Sequence, residues 1–94
     1  MIKKSAKNIK PKVDLHELTG KAYNYLRKFA GLKWRDLSNI EHLQPDHVGR
    51  RKNLARVKPH HVVFLYNAIT IKYQTDQLFW RGLTEYNKYL ENMC

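Results

Sequence analysis

The sequence predicts an all-α fold: a small bundle of about five helices containing a helix-turn-helix. Three observations carry this. Ninety-four residues suit one small domain with a modest core. Apolar residues recur three and four apart along most of the chain, the period of one helical face. Helix punctuation falls between these runs, with Gly31 as a stop and Pro45 and Pro59 as first-turn residues.

Composition narrows the partner. Lys and Arg number 18 against 8 Asp and Glu, a net charge of +10. A chain this basic calls for an anionic partner: nucleic acid first, an anionic membrane or acidic protein second. The single cysteine, Cys94, is terminal. It allows no internal disulfide, fits a reducing cytosol, and excludes a zinc site built on cysteines. No apolar run approaches the roughly 20 residues of a membrane span, and the basic start lacks a signal peptide's apolar stretch. A cytoplasmic, nucleoid-associated location is expected. No Gly-rich phosphate loop, Ser/His/Asp set or close carboxylate pair stands out, so neither enzymatic activity nor a cofactor is expected.

Residues 1–13 hold five lysines, no acid and Pro11, and cannot bury enough to order themselves. They are either a solvated tail or a flexible arm whose Lys3 and Lys4 follow a DNA backbone. Asp14 is a good N-cap, with Glu17 at N3 and Val13 and Leu18 in the staple positions. Leu15, Leu18, Ala22, Tyr25, Leu26 and Phe29 follow at helical spacing, predicting a first helix over 14–30. Tyr23, Tyr25, Phe29 and Trp34 read as core or rim aromatics; a stacking platform for single strands is the alternative.

The second helix covers 33–42, with Leu37 and Ile40 on one face. His42 and Leu43 make the corner. The third covers 44–53, with Pro45 in its first turn and Asp46 complementing its positive end. Val48 is the only aliphatic residue between Leu43 and Leu54. It should point inward, against Leu37, and turn Asp46, His47, Gly49, Arg50, Arg51 and Lys52 outward. Residues 31–53 therefore read as the unit that lays its second helix in the DNA major groove.

Without gaps, 31–50 resembles the lambda-repressor/Cro-like (Xre-type) helix-turn-helix family. Gly31-Leu32 matches the opening of the second helix, Leu37-Ser38 the buried leucine and small residue, Leu43 the turn aliphatic, and Val48 the anchor of the recognition helix. Leu26-Arg27 upstream and 62–69 downstream resemble the first and fourth helices. Trp34 stands where the family usually has Gln, His42 replaces the usual turn Gly, and the frequent acid after the recognition helix is absent. The resemblance implies a sequence-specific transcriptional regulator of double-stranded DNA, such as a repressor of a phage or mobile element.

Side-chain chemistry supplies the roles. Arg50 lies on the face the family presents to bases and can pair bidentately with guanine. Asp46 either accepts from cytosine or simply caps its helix. Gln44 and His47 can reach a base or a phosphate, the latter with a charge that depends on pH. Lys33 and Arg35 stand beside a helix N-terminus, placed for phosphate, and Arg51, Lys52, Arg56 and Lys58 continue the positive field. The plain alternative for the whole run is a solvated basic face.

Pro59 starts a fourth helix with Val62, Leu65, Tyr66 and Ile69 inward. His60 and His61 diverge by about 100° on a helix, with no Cys or carboxylate near, so no metal site is expected. In 68–74, Ile69, Ile71 and Tyr73 alternate, which suits a short strand as well as a fraying helix end. Thr75 or Asp76 caps the last helix. Phe79, Leu83, Tyr86, Leu90 and Met93 form a heptad seam flanked by Leu78, Trp80 and Tyr89. One side is expected on the core and the other in a homodimer on a palindromic operator, with Phe79, Leu83, Tyr86, Leu90 and Met93 expected at the dimer interface. The division expected is an arm at 1–13, a helix-turn-helix domain at 14–70 and a dimerising helix within 71–94. Two other functions fit the composition. One is a small basic ribonuclease of the toxin type, using His47, His60 and His61 for acid–base chemistry. The other is an interaction module that attaches to nucleic acid without specificity.

Overall fold

Leu18 and Thr19 lead into the first of the described helices. The Leu18 carbonyl accepts from the Val57 amide at 2.8 Å, and the Gly20 amide donates to the Leu54 carbonyl at 2.9 Å. The chain entry is thereby tied to the loop before Pro59. In the computed structural model, which describes residues 18–92, helix α1 is Gly20–Phe29, capped by the Thr19 hydroxyl accepting from Ala22 at 3.1 Å. This corrects the expected 14–30 helix. Continuing the helix back through Leu18 and Thr19 would take the backbone groups that the 54–57 loop uses. Val13, Asp14, Leu15 and Glu17, with Lys3, Lys4 and the rest of the expected arm, lie outside the described residues.

Gly20 is buried where the backbones cross: a Cβ there would run into the carbonyl oxygens of Arg51, Lys52 and Leu54. Gly31, at φ +70°, ends α1 as expected. Helix α2 (Trp34–Glu41) follows, its first turn closed by the Lys33 amide donating to Asp36 at 2.8 Å. Leu37 and Ser38 are buried, while Ile40 is 41% exposed. Ile40 does not share the inward face of Leu37. That place is taken by Glu41, whose side chain is 3% exposed. His42 ends α2 in the left-handed region, φ 59° and ψ 41°, the conformation its place in the corner demanded.

Helix α3 (Pro45–Gly49) has Pro45 in its first turn and passes into a 3-10 turn, Arg50–Asn53. The extent matches the expected 44–53 helix, but the second half is wound more tightly. Gly49 is a poor helix former, and Arg51 is drawn inward. Val48 and Leu37 are both fully buried in one core.

Helix α4 (Pro59–Tyr73) buries Val62, Leu65, Ala68 and Ile69. It continues through the stretch that alternates, so no strand forms there. Ile71 is 71% exposed. Ile69 and Tyr73 instead share a face at i, i+4, and the Tyr73 hydroxyl donates to the Ala30 carbonyl at 2.6 Å. At the next corner the Asp76 carboxylate accepts from Tyr66 at 2.8 Å and Trp80 at 3.0 Å.

Helix α5 (Gln77–Asn92) folds back along α1 and α4. Phe79 is 0%, Leu83 1% and Tyr86 9% exposed, all in the single core. They are spent within the chain and are not the dimer surface expected of them. Leu90 stays at the surface, and Met93 lies outside the described residues. The described residues thus form five α-helices without a strand. None of these helices is long and apolar enough to cross a membrane.

Two glycines test this packing. Gly20→Ala should cost about 2–4 kcal/mol in urea denaturation, because three backbone carbonyls cannot move aside independently. Gly49→Ala, whose Cβ would sit 3.7 Å from the Trp34 ring, should change stability by less than about 1 kcal/mol.

Candidate nucleic-acid interface

The corner between α2 and α3 is built from the inside outward. Val48 turns one side of α3 into the core, which leaves Gln44, Asp46, His47 and Arg50 exposed. Around them Lys33, Arg35, Lys52, Arg56 and Lys58 are exposed too. None of these cations has a carboxylate within salt-bridge reach among the described residues. Asp36, the nearest acid to Lys33 and Arg35 in sequence, is engaged by the Lys33 amide.

Two depressions flank α3. A polar cleft is lined by Ser38, Asn39, His42, Leu43, Gln44 and His47. A shallow hollow is lined by Trp34, Pro45, Asp46, Gly49, Arg50, Lys52 and Asn53. Asn39, His42 and Asn53 were not among the sequence candidates. Asn39 and His42 are three apart at the end of α2, a helical neighbour relation that pointed to them. For Asn53 no sequence signal distinguished it from loop.

Trp34 is a packing residue. Its ring stacks on Tyr23 at 6.3 Å and 12°, and the Arg27 guanidinium lies 4.1 Å from its centroid. Gly49 closes against the same indole. With these neighbours, Trp34 does not present a bare face on which a base could stack.

Arg51 is the correction at this site. It is 4% exposed and does not face solvent, so it makes no phosphate contact. Its guanidinium donates to both Glu41 oxygens, at 2.7 and 2.8 Å, and to the Tyr23 hydroxyl at 3.0 Å. Burial pushes the guanidinium's pKa down, but hydrogen bonds to Glu41 and Tyr23 outweigh it and leave the pKa raised. Burial also raises the Tyr23 phenol, against the lowering effect of Arg51. The periodic reading failed here because it counted charge as exposure. One turn of 3-10 winding and a carboxylate on α2 bring this arginine inside.

His61, on α4, borders this charge. Burial first, and then the charges of Arg51 and His60, lower its pKa from 6.5 to about 4, and its Nδ1 is buried without a hydrogen-bond partner. His60 stacks beside it, ring centroids 4.2 Å apart. Among the described residues no three His, Cys, Asp or Glu side chains cluster as metal ligands would.

No family model matches the chain, and neither the curated proteins nor the solved structures compared with it give a match.

The buried pair and His61 give two expectations. Glu41→Ala leaves the Arg51 charge buried and unpaired and should cost about 3–5 kcal/mol, whereas Arg51→Met combined with Glu41→Leu should cost much less. For His61 the unfolded chain takes up a proton as pH falls from 6.5 toward 4, while the folded chain does not. Stability from this group is complete above 6.5 and is lost progressively as pH falls from 6.5 toward 4. His61→Gln should flatten that limb of a pH series of denaturation midpoints.

Proposed function

We propose that the protein is a sequence-specific regulator of transcription that presents α3 to the major groove of double-stranded DNA. The observation that carries this reading is the division of α3 by Val48. One side is core; the other holds Gln44, Asp46, His47 and Arg50 in water, ringed by cations that have no acidic partner among the described residues. The resemblance of 31–50 to lambda-repressor/Cro-like regulators supports the same assignment. In this reading the chain binds and does not catalyse.

The shortness of α3 shapes the mode. Five α-helical residues let only the N-terminal end of the element reach base edges, which is where helix-turn-helix proteins make such contacts. Gln44, Asp46 and His47 then read bases from the helix and Arg50 from the start of the 3-10 turn. Lys33, Arg35, Lys52, Arg56 and Lys58 hold phosphates, joined by Lys3 and Lys4 of the arm. Arg51 belongs to the support. On a palindromic operator two copies stand one DNA turn apart, about 34 Å, and their pairing surface must exclude Phe79, Leu83 and Tyr86.

Selection of sites from a random duplex pool, followed by titration, tests this. Arg50→Ala should flatten preference among sites by about 1–3 kcal/mol. Lys52→Ala should weaken all duplexes alike and reduce the slope of log K against log salt by about 0.9. Unchanged selectivity in Arg50→Ala overturns the base-reading face. Equal affinity for all duplexes overturns the specific regulator in favour of a general attachment module.

A further inference from the structure

A second surface feature adjoins the proposed DNA face. A groove of about 690 Å³ runs between the start of α1, the loop after the 3-10 turn, and α5. Its apolar lining includes Leu18, Ala22, Leu54, Ala55, Leu83 and Leu90. Leu54 is 43% exposed, a large apolar side chain on the rim of an apolar trough. Among the described residues the charged ones lining the groove are Lys21 and Lys52, both exposed and neither paired with a carboxylate. Lys52 and Asn53 also line the hollow beside Trp34 and Arg50. One lysine therefore serves both surfaces.

We infer that this groove docks an amphipathic helix of a partner protein, with acidic residues flanking its apolar stripe, and that docking competes with DNA. An apolar trough takes the i, i+3, i+4, i+7 stripe of a helix. The lysines on its rim select glutamate or aspartate beside that stripe. A second copy is disfavoured, because each chain carries a charge of +10 and brings like charge to a cationic rim. Of the chain's own start, the lysine-rich stretch 1–13 is disfavoured for the same reason, and 14–17, which carries Asp14 and Glu17, is four residues long and too short to supply a stripe running from i to i+7. An acidic helix seated here neutralises Lys52 and places negative charge beside Arg50. It thereby opposes the approach of phosphate. The competition rests on the DNA reading; the docking does not.

The probe is a displayed library of helical peptides of about 18 residues, five turns, panned against the full chain with apolar and flanking positions varied. Enriched peptides should carry an apolar stripe with Asp or Glu beside it. Their affinity should fall at least about tenfold in Leu54→Asp, and likewise in the separate double variant Lys21→Glu/Lys52→Glu. Ile71→Asp, at a distant exposed position, should leave it unchanged. Circular dichroism checks that each variant is folded, and the charge-reversed pair keeps the test alive if Leu54→Asp is not. An enriched peptide should also release labelled duplex from the chain. Enrichment without acidic residues, or binding indifferent to both groove variants, overturns the docking. A dimer in sedimentation that Leu54→Asp abolishes overturns it in favour of a second copy. Nuclear Overhauser contacts from 1–17 to Leu54 and Leu83 overturn it in favour of the chain's own start. Peptide binding that leaves bound duplex in place overturns the competition alone. Peptide binding by a chain that ignores duplex DNA overturns the DNA reading and leaves the docking standing.

Discussion

The Arg51 guanidinium holds three elements in one register. Tyr23 comes from α1, Glu41 from the last turn of α2, and Arg51 from the 3-10 turn that follows α3. Each reaches the same point with almost no access to water. A buried ion pair adds little net stability over an apolar replacement of the same shape, because both ions lose their hydration. Its effect is geometric. Two parallel N–H···O bonds fix a distance and an angle, and the third bond, to a phenol, fixes the remaining direction. The last turn of α2 and the tail of α3 cannot slide without leaving a buried charge unmatched.

From that constraint the surface follows. With Arg51 inside and Val48 in the core, the remaining polar residues of the α3 segment have only solvent to face. The left-handed turn at His42 sets the angle at which α3 leaves α2. The Trp34 indole packs beside Gly49, close enough that a Cβ there would be in van der Waals contact with the ring. Among the described residues the cations around this face have no salt bridge: Glu41 is taken by Arg51, Asp36 by the backbone of its own first turn, and Asp46, on the face itself, is in no ion pair with them. The positive field of the corner is therefore a product of how the few acids are spent, as much as of how many bases there are.

Much of this was legible in the order of residues. The stops and starts at Gly31, Pro45 and Pro59 sit where backbone chemistry requires them, and the inward stripe of α4 is plain from spacing. Other elements were not. The helix expected over 14–30 is broken at Leu18 and Thr19, because Leu18 and Gly20 bond to a loop more than 30 residues away in sequence. Alternation at 68–74 suggested a strand, but Ile69 and Tyr73 pack on the same side of a helix and Ile71 faces water. The apolar seam of α5 was legible as a seam with a side on the core, but spacing did not show that Phe79, Leu83 and Tyr86 would all be spent there.

The sequence by itself determined the helical class, the punctuation, the anchor role of Val48 and the excess of positive charge, because these depend on local backbone preference and on counting. Tertiary structure alone decided which charges are available. Arg50 and Arg51 are adjacent and chemically identical, yet one is in water and the other is enclosed by Glu41 and Tyr23. No local rule separates them. The difference arises from a carboxylate ten residues back and a phenol twenty-eight residues back, brought within 3 Å only when α1, α2 and the 3-10 turn close on one core.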